Sequence, residues 1–201
     1  MGRSNDYNGG LTREQFLFYE IRIVAKLVSQ EEERNAIIQK LKDENLFQFP
    51  TERMIVSIAG TCFKRIDALE SEMLVSELAE ASVDVAKQIN LYAMMRYNRI
   101  VWDFMVTVIG EKFRTQDFEF SKADLNLFFL RLQEQNDLVA SWSESTINKI
   151  KQVLRKSLAE CGFIDSVRSE KLNPVFPYDE LIEGIKANGD VDALAAFNYF
   201  E

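Results

Sequence analysis

The sequence predicts an all-α protein, a compact multi-helix globule with two helix-turn-helix-like units sharing one core. Three observations lead there. Only three Pro and eight Gly interrupt 201 residues. Apolar residues recur at helical spacing through most of the chain. Ser and Thr stand where successive helices should begin.

The elements follow in order. After a turn-rich lead-in at 7–10, Thr12 is expected to cap a first helix, with Gln15 three positions on as in a capping box. Its residues Phe16 to Val28 are apolar nearly all round, which suits a central helix. Ser29 and Glu32 repeat the capping pattern. The triplet Glu31, Glu32, Glu33 sits where a helix dipole favours anions. This second helix should run to about residue 44, where Phe47-Gln48-Phe49-Pro50 breaks it. Thr51 caps a third helix through about Leu69, with Ile55, Ala59, Cys62 and Ile66 inward. Arg53, Ser57, Gly60 and Lys64 lie on its other face. Helix, turn, then a helix with a small and cationic outer face outlines a helix-turn-helix.

A shorter helix is expected near 72–80, and Ser82 caps another that includes 85–95. Residues 97–109 are apolar on most sides and should be buried, with Gly110 as the stop. Residues 115–120 read as a loop or short extended piece. Ser121 caps a helix over 122–135, and a single turn fits 137–142. Residues 143–161 form a capped amphipathic helix, and Gly162 suits its C-cap. A short β wing fits 163–177, although Pro174 and Pro177 weigh against a strong sheet. Closing helices are expected at 178–187 and 192–197. A weak boundary near 114–120 divides the chain into a helix-turn-helix-like unit at 1–114 and a winged-helix-like unit at 115–201, within one continuous globule.

The chain carries 24 Lys and Arg against 32 Asp and Glu, a net charge of −8. That balance argues against a uniformly basic coat, not against a local basic patch. Such a patch stands out on the helix at 143–161. Ile147, Ile150, Leu154 and Leu158 share one side; Asn148, Lys149, Gln152, Arg155 and Lys156 share the other. No acidic residue falls between Thr146 and Ala159, whereas a merely solvated face usually mixes signs. A polyanion is the natural partner, and duplex DNA would be met as follows. Arg53 and Lys64 on one helix and Lys149, Arg155 and Lys156 on the other would meet phosphates, with Ser57 allowing close approach. Ser145, Asn148 and Gln152 reach base edges.

Histidine is absent, so Ser-His and Cys-His catalysis is excluded, and two distant cysteines make no zinc site. No phosphate-cradling glycine loop occurs. The reading is therefore of a protein with no catalytic residue, cofactor, metal or small-molecule substrate. Cys62 and Cys161 are expected as reduced thiols in an intracellular, cytoplasmic protein. The polar start of the chain lacks a signal-peptide pattern, and the longest apolar run is too short to span a membrane. Glu20 and Asp103 are acids expected to pair with Arg22 and Arg99.

Four long segments carry a family resemblance: YNGGLTREQFLFYE (7–20), ENLFQFPTER (44–53), KQINLYAMMRYNRIVWDFMVTVIGEKFRT (87–115) and FFLRLQEQND (128–137). They resemble the BrxA family, small core proteins of the BREX phage-defence systems of bacteria. The likeness runs on through 143–162 to the closing AAFNYF. It implies a small, all-helical, non-enzymatic component with helix-turn-helix-like elements that binds double-stranded DNA. It implies partners as well: a DNA methyltransferase, a large ATPase, a phosphatase-like subunit and other BREX factors. Their joint task is methylation of host DNA and exclusion of phage DNA. The expectation is a monomeric or weakly associating accessory factor with little sequence specificity. Two other readings stand beside it, a scaffold docking BREX subunits without touching DNA, and an RNA-binding protein.

Overall fold

Side-chain caps start most of the helices in this computed structural model, which describes residues 4, 6–30 and 33–200. The elements are α1 (Phe18–Ser29), α2 (Arg34–Asp43), α3 (Glu52–Leu69), α4 (Glu72–Glu80), α5 (Val83–Tyr97), α6 (Arg99–Phe104), α7 (Gly110–Arg114), α8 (Lys122–Gln135), α9 (Asp137–Ala140), α10 (Glu144–Glu160) and α11 (Asp179–Ala187). Thr51, Ser71, Ser82, Ser121 and Ser143 each accept a backbone N–H of the first turn, satisfying donors that the helix itself leaves unpaired. At α8 Asp124 reaches back to the Ser121 N–H at 2.7 Å and completes a capping box.

The first helix departs from expectation. Thr12 lies in a 3₁₀ turn (Gly9–Thr12), and α1 begins only at Phe18, after Leu17 in a left-handed conformation at φ 52°. The cause is tertiary. Arg65 of α3 is buried and collects three carbonyls of the lead-in, Glu14 O at 2.8 Å, Gln15 O at 2.7 Å and Phe16 O at 3.0 Å. Asn90 of α5 donates to Phe16 O as well, at 2.7 Å. These carbonyls are spent on side chains and cannot serve a helix. Of the second expected capping box, Glu32 lies outside the described residues, as does Glu31 of the acidic triplet; Ser29 is the last residue of α1 and does not cap α2, which starts at Arg34 after Glu33, a residue that makes no side-chain cap.

α1 packs on α3 and α4, and α5 on α3 and α4. α5 is buried almost all round, and its Arg96 crosses to Glu70 at 2.6 Å and Asp190 at 2.7 Å. Asn98 then breaks the chain and caps α6. Gly110 is not the stop that its place in the sequence suggests. α6 widens into a π-helical turn (Met105–Ile109) and runs on into α7. A Cβ on Gly110 would stand 3.2 Å from the Ala195 carbonyl carbon, so this glycine admits the closing 3₁₀ segment Val191–Phe197 against α7. Gly162 does stop α10, at φ 76°, with its N–H on Ala159 O and that of Phe163 on Leu158 O.

The wing shrinks to a single antiparallel bridge, Glu119 with Lys171, among the described residues. Pro174 and Pro177 lack the N–H donors that a longer ladder needs. One hydrophobic cluster runs from Leu11 through α5 and α8 to Phe197, including Phe104, Phe120 and Phe128 in edge and tilted ring contacts.

Candidate nucleic-acid interface

Helical spacing sorts the α10 residues into inside and outside. Ser145, Lys149, Gln152 and Lys156 follow one another at i, i+4, i+7 and i+11, so they form one stripe, and all four are exposed, as is Asn148 beside them. Lys149 and Lys156 make no ion pair with any described residue. Lys156 Nζ rests on Gln15 Oε1 at 3.3 Å. Ser145 lies beside the cap, its hydroxyl 2.9 Å from that of Ser143.

Arg155 does not belong to that stripe. It is 9% exposed. Its guanidinium donates from Nε to Val167 O at 3.0 Å and from Nη2 to Ser169 O, and lies 5.0 Å from the Phe120 ring centroid. Its position, next to Leu154 at the margin of the apolar arc, turns it toward the 163–173 loop. A guanidinium there finds carbonyls and an aromatic face, which outweigh the loss of water. Arg155 is thereby corrected from a surface cation to an internal fastener. Lys151, also on α10, leans on Asn126 Oδ1 at 2.8 Å and over the Phe129 ring, and burial pulls its pKa below the usual lysine value.

On α3 the same spacing gives Arg53, Ser57, Gly60 and Lys64. The first two and Lys64 are exposed, and neither cation has an ion-pair partner among the described residues. The neighbouring acids are engaged elsewhere, Glu52 with Lys42 at 2.8 Å and Asp67 with Arg34. The link from α2 to α3 spans residues 44–51, longer than the three or four residues of a helix-turn-helix turn. The link from α9 to α10 is short, at 141–143.

Between α3 and α10 lies a groove that helical periodicity does not show. Lys156 lines it from α10, Met54 and Ile58 from α3, Arg13 from the lead-in and Tyr19 from α1. Tyr19 is 78% exposed. The helical wheel could not single it out, because the whole stretch from Phe16 to Val28 reads as apolar. Asp103 accepts the Tyr7 hydroxyl at 2.6 Å and pairs with Arg99 at 3.4 Å as expected. Burial, with the Asp103 carboxylate beside it, pushes Tyr7 up to about 12. The expected partner of Glu20 is used differently: Arg22 donates to Ala79 O and Ala81 O. Cys62 is a buried free thiol whose pKa burial lifts to about 12; Cys161 is half-buried and also unpaired. Among the described residues no three acidic, Cys or His side chains converge to hold a metal, and no helix is long and apolar enough to cross a membrane.

A family model described as BrxA matches residues 5–189. A "BREX protein BrxA" of Bacillus cereus (strain H3081.97) is 30% identical over 192 residues, covering 94% of this chain and 95% of the relative. One of Escherichia coli O9:H4 (strain HS) is 24% identical, covering 93% and 87%. The fold is similar to a crystal structure of an uncharacterized protein from Magnetospirillum magneticum, with a TM-score of 0.80 at 18% identity over 95% of this chain and 97% of that one. With a family model spanning nearly its whole length and relatives of matching size, the chain belongs to the BrxA family of BREX proteins.

Proposed function

We propose that this protein binds double-stranded DNA as an accessory component of a BREX system, supporting methylation of host DNA and exclusion of phage DNA. One observation carries the reading. In a protein of net charge −8, Lys149 and Lys156 share an exposed stripe with Ser145, Asn148 and Gln152 and have no acidic partner among the described residues. Exposed ammonium groups on a rigid helix attract phosphates and release counterions, without reading sequence. Arg53, Ser57 and Lys64 extend the same surface onto α3. The low count of cations sets a weak, salt-sensitive affinity. Reversal of both charges, Lys149→Glu with Lys156→Glu, abolishes a low-salt gel shift of unrelated duplexes alike while the melting temperature stays within a few degrees. Binding retained by that variant overturns the surface.

A second reading draws on α8, where Leu127 and Leu130 are 47% and 53% exposed at i and i+3. An apolar helical stripe suits docking of another BREX subunit. A pull-down of BREX proteins that survives nuclease, and that Leu127→Glu breaks, marks the protein as a scaffold; loss on nuclease treatment marks the duplex as the bridge.

A further inference from the structure

The groove between the two cationic helices has chemistry that phosphate contacts leave unused. Its volume is roughly 430 Å³, and Tyr19, Phe49 and Met54 line it. Among the described residues Tyr19 is the most exposed of the large apolar and aromatic side chains. The Phe18 ring holds it at 5.5 Å in an edge contact, and its hydroxyl has no partner among the described residues. Core packing therefore does not explain an aromatic ring in this place.

We propose that this groove receives one unpaired nucleobase, so that the interface prefers nucleic acid carrying a bulged or mismatched base over perfect duplex. The inference rests on the nucleic-acid reading above and names what its central cavity holds. A base has a flat π face, a polar edge and a phosphate on either side. Tyr19 and Phe49 supply ring surface against the face, and stacking of this kind is indifferent to base identity. Arg13 and Lys156 line the same cavity, and Lys156 continues directly into the α10 stripe, so a strand leaving the groove stays on cations. The polar edge finds both kinds of partner. Gln15 accepts from Lys156 through Oε1, leaving its amide donors. Glu20 also lines the groove and can accept an exocyclic amine. The other acid there, Glu160, is matched by Lys87 at 3.4 Å. A base already out of the stack enters most readily, because opening a sound pair costs free energy.

The test uses the full chain and two duplexes that differ only in that one, otherwise perfectly paired like the other, carries a single bulged 2-aminopurine. The expected result is tighter binding of the bulged duplex by about tenfold, with 2-aminopurine fluorescence quenched on binding. Tyr19→Ala removes both the preference and the quench, so that it binds the two duplexes alike; Tyr19→Phe keeps both. Equal affinity for the two duplexes with unquenched 2-aminopurine overturns this inference and leaves duplex binding standing. Failure to bind either duplex overturns duplex binding and this inference with it. A groove that instead takes an apolar side chain of a protein partner shows itself the same way, by an unquenched base and a Tyr19→Ala variant indistinguishable from the parent on both duplexes.

Discussion

Arg155 lies over the ring of Phe120, its guanidinium carbon 5.0 Å from the centroid, and from there fastens the loop after α10 by Val167 O and Ser169 O. Removing it strips two charge-assisted hydrogen bonds and one cation–π contact. Arg155→Ala should lower stability by about 2 kcal/mol and the melting temperature by roughly 4–8 °C. Its effect on the salt slope of duplex binding should be nil. A slope reduced as much as that of Lys149→Ala would return Arg155 to the surface.

For the cations on α3 the expectation is the reverse. Arg53→Ala and Lys64→Ala touch no hydrogen bond of the fold and should leave the melting curve unmoved. Each cation withdrawn from a phosphate should reduce the slope of log affinity against log salt by about 0.9. Unchanged slopes in both variants restrict the interface to α10.

Arg65 should be intolerant even of lysine. Its planar fork reaches three carbonyls at once, Glu14, Gln15 and Phe16. One ammonium cannot span them. Burial already pulls its pKa down, and a lysine in its place would be still harder to keep charged. Arg65→Lys should cost roughly 3 kcal/mol, about 10 °C in melting temperature by calorimetry. A loss under about 1 kcal/mol would refute the clamp.

Two glycines in helices should respond with opposite signs. At Gly184 a Cβ would overlap the Leu74 side chain, and Leu74 is fully buried. Gly184→Ala should therefore destabilise by about 1–3 kcal/mol. At Gly60 nothing lies within 4 Å, so Gly60→Ala should stabilise by about 0.5–1 kcal/mol through helix propensity. Urea unfolding of the two variants checks both.

Lys112 joins α7 to the start of α8 through Asp117 at 2.8 Å and Asp124 at 2.9 Å. Burial works to lower the Lys112 pKa, but the two carboxylates raise it on balance. Hydrogen bonds from Lys112 and the Glu119 N–H lower Asp117. For Asp124 burial works upward, yet the Ser121 N–H and Lys112 bring it below 3.8. Carboxyls with depressed folded values stabilise the protein above their ordinary pKa and lose that contribution as pH falls through the folded values. Lys112→Met should flatten acid unfolding below about pH 4 relative to the parent. Parallel acid curves would discard the triad.

Thr51, Ser82, Ser121 and Ser143 each start the helix their spacing announces, because a cap is a local contact within three residues. The features that the sequence leaves out depend on distant partners. Leu17 is left-handed because Arg65 and Asn90 take the carbonyls around it. Gly110 reads as a stop, yet its meaning is the approach of Ala195 and Ala196. Of the cationic stripe, Lys149 and Lys156 are legible from periodicity alone. Arg155 is not, since a residue at the margin of an apolar arc is settled by whatever loop arrives above it. The groove at Tyr19 is invisible for the same reason: it is made by three segments far apart in the chain.

The carbonyl of Phe16 is gripped from positions 49 and 74 residues further along. During synthesis the segment around Phe16 must therefore wait for its partners until α3 and then α5 have left the ribosome. The stretch made early is fastened only by helices made later. A fusion placed ahead of it burdens a seam, not a loose end.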